Sequence, residues 1–239
     1  MKATSKLLAI NNQFYQANAG SFSATRQRLQ PGVQRLADRL LSEMPGGRLL
    51  DLGCGNGWLG RYLLEHRFQG TYVGLDASPD LLEDARRNSP SLYLPANLAD
   101  PGWESGLPAE PFDAILAFAV LHHLPGNELR LRVLKQAHNH LAVSGGFFFH
   151  SEWQFQNSPR LAKRILPWET VGLHASDVDE GDALLDWRAE GGEGLRYVHQ
   201  FSQEELEALA QTAGFRVAET FYSDGKEGNL GLYQAWVPL

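Results

Sequence analysis

Cysteine is nearly missing from this chain: Cys54 stands alone among 239 residues. No internal disulfide is available and no cysteine-rich zinc cluster can be assembled. A reducing, cytoplasmic setting is therefore the expectation. Long apolar runs are missing as well. The longest, residues 114–121, falls far short of the roughly 20 residues a bilayer span needs. The patch at 7–10, behind Lys2 and Lys6, is too short for a secretory signal core. Basic charge is in deficit, with 21 Lys and Arg against 28 Asp and Glu, a formal −7. DNA and anionic membranes select clustered cations, so neither is an expected partner, and an RNA contact would have to come from a local basic patch. The chain also lacks internal repeats and low-complexity tracts.

What is present is a globular composition, 43% hydrophobic, in a length that suits one domain with a large core. Residues 30–44 predict a helix, with Pro31 in its first turn and Val33, Leu36, Ala37, Leu40 and Leu41 at helical spacing. A short buried strand follows at 48–52, then glycines 53, 55 and 57, then a helix carrying Leu59, Tyr62 and Leu63. Strand 71–75 ends at Asp76, and Ser78 caps the next helix ahead of Pro79. Strands at 92–94, 112–118 and 146–150 alternate with a helix at 127–141. Ser202 and Glu205 form a capping box for a helix that Gly214 ends, and 215–222 with 230–237 make a closing strand pair. Such alternation predicts an α/β, doubly wound, seven-stranded and mostly parallel sheet. Residues 152–200 break the rhythm and read as an insertion between the fifth strand and the last helix. The expected division is therefore 1–30 as an N-terminal helical lid, 31–151 as a ligand-binding core, 152–200 as a substrate cap, and 201–239 as the completing helix and strands.

The segment 49–57, Leu-Leu-Asp-Leu-Gly-Cys-Gly-Asn-Gly, carries most of the information. A strand running into a glycine turn and then a helix lets backbone pass close to a ligand. The dinucleotide pattern G-x-G-x-x-G is not met, because the third glycine, Gly57, comes one place early and Trp58 fills the required position. Asp76, at the end of the next strand, can accept from two ribose hydroxyls.

These motifs resemble those of class I S-adenosylmethionine-dependent methyltransferases, with a Rossmann-like fold. Residues 49–57 match the first motif of that family and Asp76 its ribose-binding acid. Phe112-Asp113-Ala114-Ile115-Leu116, the following Leu121-His122-His123-Leu124, and Ser144-Gly145-Gly146 match later ones. The resemblance implies S-adenosylmethionine as methyl donor and S-adenosylhomocysteine as product. It implies that Gly53 and Gly55 pack their backbone against the methionine part, that Cys54, Asn56 and Gly57 bind the cofactor beside them, and that Asp51 orients the amino group indirectly or through water. Ala77 follows the ribose acid. Asn97 and Leu98 stand where the family contacts adenine, with Asp100 as the alternative if the loop is shifted. Phe118 and Ala119 pass the methyl group. No metal is implied.

A narrower resemblance covers the ends. Tyr15, Ala19, Phe22, Ser23, Thr25 and Arg26, together with Arg196-Tyr197-Val198-His199 and Phe201, are similar to the tRNA wobble-uridine methyltransferases that esterify 5-carboxymethyluridine. Gln30 stands where that family has tryptophan, and Val198 where it has a second tyrosine. Tyr15 and Phe22 would close over the donor.

Methyl transfer from a sulfonium is mainly a matter of placement. A carboxylate acceptor needs no base but does need a cationic clamp, and a hydroxyl or amine acceptor needs a base. Arg26 and Arg196 are candidate clamps for an acidic acceptor or for the donor's own carboxylate; His122, His123 and His199 are candidate bases or hydrogen-bond donors. Surface ion pairs and packed histidines are the alternatives. Trp153, Trp168 and Trp187 can line an acceptor pocket or simply pack the insertion. Arg160, Lys163 and Arg164 form a compact basic cluster, and His138 and His140 read as solvated. The expected partners are tRNA or a small aromatic or carboxylated acceptor, and nothing points to a helper subunit. The competing reading of another class is a non-catalytic subunit that binds an S-adenosyl ligand.

Overall fold

The computed structural model describes residues 3–25, 28–189 and 192–239. The elements run α1 (Ala3–Thr25), α2 (Pro31–Glu43), β1 (Arg48–Leu52), α3 (Trp58–Glu65), β2 (Thr71–Asp76), α4 (Pro79–Asn88), β3 (Leu92–Pro95) and β4 (Ala114–Phe118). A 3-10 turn (Leu121–His123) leads to α5 (Asn127–His140) and β5 (Phe147–Trp153). Then come α6 (Pro159–Ala162), β6 (Ile165–Leu166), β7 (Asp182–Ala189), β8 (Gly192–His199), α7 (Gln203–Ala213), β9 (Phe215–Ser223) and β10 (Gly231–Pro238).

The main sheet has seven strands in the order β3-β2-β1-β4-β5-β10-β9. The first five are parallel, and β10 enters antiparallel between β5 and β9. Alternate residues of each strand feed opposite layers, as strand geometry requires. Leu50, Ile115 and Phe148 pack with Val133 and Leu134 of α5 and Leu206 and Leu209 of α7. Their neighbours Leu49, Leu116 and Phe149 pack with Leu36 of α2, Leu63 of α3 and Leu82 of α4. Both faces are covered, which is the doubly wound architecture the alternation predicts.

Four local readings change. Glu152 and Trp153, expected in the insertion, belong to β5, because β10 pairs along it as far as Gly231–Trp153. The insertion contains a three-stranded antiparallel sheet, β6-β7-β8, that has no alternating pattern in sequence. Both its faces are buried: Ala183, Leu185 and Val198 pack with Phe155, while Tyr197 packs with Leu7 and Leu173. Ser202 caps α7 by accepting from the Glu205 N–H at 3.1 Å, but the Glu205 carboxylate turns away to His199, 3.0 Å distant, so the box is not reciprocal. His138, expected in solvent, lies edge-on to Phe215, with ring centres 4.9 Å apart. Among the described residues no helix is long and apolar enough to cross a membrane, and no group of three or more His, Cys, Asp and Glu could hold a metal ion.

Candidate active site

The strand order reverses between β1 and β4, so the loops leaving their C-terminal ends diverge and open a crevice there. A cleft of about 440 Å³ fills it, within the range of small-molecule sites. One half is built by the glycine turn. Gly55 has φ +55°, and nothing lies within 4 Å of where its side chain would be, so its open face belongs to the cleft. Gly57, at φ +75°, serves packing instead. A Cβ there would come 2.8 Å from the Ala85 Cα of α4, and Gly57 is not a lining residue. The sequence reading grouped it with the ligand contacts; the structure assigns its small size to the seating of α3 on α4.

The Asp76 carboxylate accepts from the Gly55 N–H at 2.9 Å on one oxygen and from the Ser78 N–H at 2.8 Å on the other, and the Ala77 backbone N–H also stabilises its charged form. Each oxygen keeps an acceptor site, enough for a vicinal diol. Burial holds this carboxyl above the usual range despite those bonds. Asp51 is only 4% exposed and accepts from the Tyr72 hydroxyl. Burial pushes it up to about 7, the Tyr72 bond opposes that, and the Asp76 charge adds to it. Burial, with the Asp51 and Asp76 charges, also raises the Cys54 thiol well above its ordinary value, which removes it as a nucleophile. Cys54, Gly53, Asn56 and Ala77 all line the cleft.

Leu81, Ala96 and Leu98 give an apolar wall, with Asn97 at its edge. The Asn97 Oδ1 accepts from the Ala99 N–H at 3.1 Å and its Nδ2 donates to Asp100 at 3.2 Å. Asn97 lines the cleft and Asp100 does not. Phe118 and Ala119 form the floor. Ala119 is held at φ +58°, a strained value for a residue with a side chain. Its N–H donates to both oxygens of Ser151, the carbonyl at 2.9 Å and the hydroxyl at 3.1 Å, which keeps the backbone there.

The other half gathers side chains from α1, the 3-10 turn, β5 and β8. His123 Nδ1 donates to the Tyr197 carbonyl at 3.3 Å, which leaves the Nε2 lone pair to accept from the Tyr15 hydroxyl at 2.8 Å. His122 is buried, with Nδ1 2.9 Å from one Glu152 oxygen; the other oxygen lies 3.0 Å from His150 Nδ1. Burial raises the Glu152 carboxyl well above its ordinary value and lowers His150 to about 3, both shifts disfavouring the charged form. The Arg196 guanidinium lies 4.6 Å from the Trp153 ring centre and 5.3 Å from that of Phe14. Its Nε is buried without a hydrogen-bond partner among the described residues, although the side chain lines the cleft.

Other sequence candidates lie elsewhere. His199 is behind the cleft, 2.7 Å from Asp182 and 3.0 Å from Glu205, in a buried ionic cluster with Arg130. Trp187 packs edge-on to Phe14 and Trp168 packs beside the Leu7 cluster; only Trp153 of the three lines the cleft. Arg160 and Lys163 are exposed, away from it. Arg26 and the Phe22 side chain lie outside the described residues. Sequence reasoning missed Asn11, Asn12 and Gln16 of α1, together with Trp58, Ser151 and Glu152. The spacing of Asn11 to Tyr15, one helical turn, is the one signal that places Asn11 beside a residue already singled out.

A family model described as a methyltransferase domain matches residues 22–220. A tRNA (carboxymethyluridine(34)-5-O)-methyltransferase of Schizosaccharomyces pombe is 28% identical over 221 residues, 88% of this chain and 90% of that protein. A trans-aconitate 2-methyltransferase of Azoarcus is 26% identical over 234 residues, 80% of this chain and 88% of that protein. A probable tRNA methyltransferase 9B of Mus musculus is 29% identical over 156 residues, 64% of this chain, which spans only 32% of that protein. Among solved structures, a DhpI–SAM–HEP complex superposes with a TM-score of 0.68 over 98% of both chains at 20% identity, a likeness of fold.

Proposed function

The chain belongs to the methyltransferase domain family, and from that premise we propose that it transfers a methyl group from S-adenosylmethionine to a carboxylate, with the 5-carboxymethyl group of a wobble uridine in tRNA as the acceptor. The donor half of the cleft fits this ligand. Asp76 has spare acceptor sites for a ribose diol, the open face of Gly55 leaves room for a chain against the backbone, and Asp51 is placed to meet an ammonium group. When bound, the donor supplies an electrophilic methyl group on a cationic sulfur.

Everything else the reaction needs is placement. The acceptor carboxylate is ionised near neutral pH, so no side chain has to remove a proton. As the oxygen–carbon bond forms and the sulfur–carbon bond breaks, the positive charge on sulfur and the negative charge on the acceptor cancel. The chain's part is to hold the carboxylate in line, to exclude water and to orient the acceptor plane. Arg196 carries this reading. It is an arginine with an unsatisfied buried Nε, fixed between Trp153 and Phe14 and facing the cleft. A planar fork of donors matches a carboxylate, and the aromatic faces stop it from swinging into solvent. Trp153 offers a surface to a planar ring.

The same clamp fits a small free dicarboxylic acid, and the formal charge of −7 favours that second reading over a polyanion. Transfer of labelled methyl from S-adenosylmethionine into total tRNA, set against a mixture of small carboxylic acids, separates the two. Base-labile label in tRNA supports the wobble-uridine acceptor. Label only in small acids overturns it in favour of the second reading, and no base-labile label in either overturns carboxylate methylation itself.

A further inference from the structure

β8 is the outer strand of the cap sheet, so backbone groups on its far side from β7 need partners outside that sheet. At Tyr197 side chains supply both. The Tyr197 N–H donates to Asn11 Oδ1 at 2.9 Å, and the Tyr197 carbonyl accepts from His123 Nδ1 at 3.3 Å. The other end of the Asn11 amide donates from Nδ2 to the His123 carbonyl at 3.2 Å. Three elements distant in sequence, α1, the 3-10 turn and β8, thus close a ring of hydrogen bonds around a side chain only 5% exposed.

The ring reaches three groups of the acceptor half: His123, Arg196 and Tyr15. His123 is a member. Arg196 immediately precedes Tyr197, so its Cα is fixed by the same strand segment. Tyr15 lies one helical turn after Asn11 on the same face of α1 and reaches the His123 ring. The partners also dictate the residue type. One end of the side chain must accept from an N–H and the other must donate to a carbonyl. An amide does both, a carboxylate would set its oxygen against the His123 carbonyl, and an aliphatic side chain would leave a buried N–H unpaired.

We propose that Asn11 is the positioning residue of the acceptor half, holding Arg196 and the Tyr15–His123 pair in fixed relation to the methyl donor through its bonds to His123 and Tyr197. The inference rests on the reading of Arg196 as the carboxylate clamp.

The test uses Asn11→Asp and the milder Asn11→Ser, each alone and combined with Arg196→Ala. The substrate is an anticodon stem-loop carrying 5-carboxymethyluridine, and donor dissociation is measured by calorimetry. Asn11→Asp raises KM for the stem-loop about tenfold with donor Kd unchanged within twofold. In the Arg196→Ala background the same change raises KM by a clearly smaller factor, because the clamp among the groups it positions is gone. An equal factor in both backgrounds, or a matching loss of donor affinity, overturns the proposal. If Asn11→Asp does not fold, Asn11→Ser carries the same readouts with a smaller shift in KM. If the wild-type chain leaves the stem-loop unmethylated, the acceptor reading has failed, and the arginine Nε–H resonances decide separately. The Arg196 signal, identified by its loss in Arg196→Lys, shifts or broadens in either Asn11 variant while that of Arg39 stays; an unmoved Arg196 signal overturns the proposal.

Discussion

The Gly55 N–H donates to the Asp76 carboxylate across 2.9 Å, so the acid that ends β2 also braces the turn that follows β1. One carboxylate therefore fixes the backbone cradle and, under the proposed function, also presents acceptor sites to the donor's ribose. Asp76→Ala removes both. Charge-assisted hydrogen bonds of this kind contribute about 1.5–3 kcal/mol each, so donor Kd, read by calorimetry, should rise roughly 10- to 100-fold or more. Unchanged affinity would mean the diol is bound elsewhere.

The two glycines of the turn should respond differently. Gly57→Ala meets the Ala85 backbone at 2.8 Å at a φ of +75°, so it should destabilise the fold by about 1–3 kcal/mol, seen as a lowered midpoint of urea unfolding. Gly55→Ala meets no protein atom within 4 Å, so its stability loss should be smaller, about 1 kcal/mol from the left-handed backbone alone. Its added methyl enters the cleft, and donor binding should weaken by more than stability does. Reversal of this order would exchange the roles given to the two residues.

Asp51 sets a pH dependence. Its carboxyl is raised from 3.8 to about 7, chiefly by burial. The folded chain therefore holds a proton that the unfolded chain has released between those values. Stability contributed by this group is full below about 4 and is lost as pH rises through 7. Donor binding runs the other way, because a cationic ligand favours the ionised carboxylate. Donor Kd should fall by up to about tenfold per unit as pH rises from 6 to 7 and level off above that. Asp51→Asn should bind more weakly at pH 8 and show a flattened profile. An identical pH profile in the variant would remove Asp51 from the linkage.

Behind the cleft, Arg130 is buried to 1% exposure, donates to the Leu124 carbonyl at 2.9 Å and to the Tyr197 hydroxyl at 3.0 Å, and lies 3.6 Å from Asp182. Arg130→Met leaves Asp182 buried beside fewer positive partners. The expected loss is about 3–5 kcal/mol, read by urea unfolding. A loss below about 1 kcal/mol would show that this cluster relaxes without cost.

How far the sequence reveals this molecule follows from where each signal lives. β1, the glycine turn, α3 and Asp76 are contiguous or nearly so, and local chemistry fixes them. Ser78 and Pro79 likewise announce α4, and Ser202 announces α7. The cap sheet is hidden because both its faces are buried, so Ala183, Leu184 and Leu185 form an apolar run without period two. His199 and Arg196 sit three residues apart on one strand and look equally eligible. Only their partners, Asp182 and Glu205 for one and a pair of aromatic faces for the other, separate a packed histidine from a group that faces the cleft. Apart from its one-turn spacing to Tyr15, Asn11 gives no local sign of its role, since both its bonds cross more than a hundred residues of chain.

The proposed reaction depends on Arg196 gripping an acceptor carboxylate beside a donor held by Asp51, Gly55 and Asp76. The most direct measurement is methyl transfer to the 5-carboxymethyluridine stem-loop by Arg196→Ala, with donor dissociation measured on the same preparation. A lost bidentate, charge-assisted contact of about 3 kcal/mol predicts a roughly 100-fold fall in kcat/KM for the stem-loop while donor Kd stays within twofold. An unchanged kcat/KM, or a donor affinity that falls in step with it, would contradict the account.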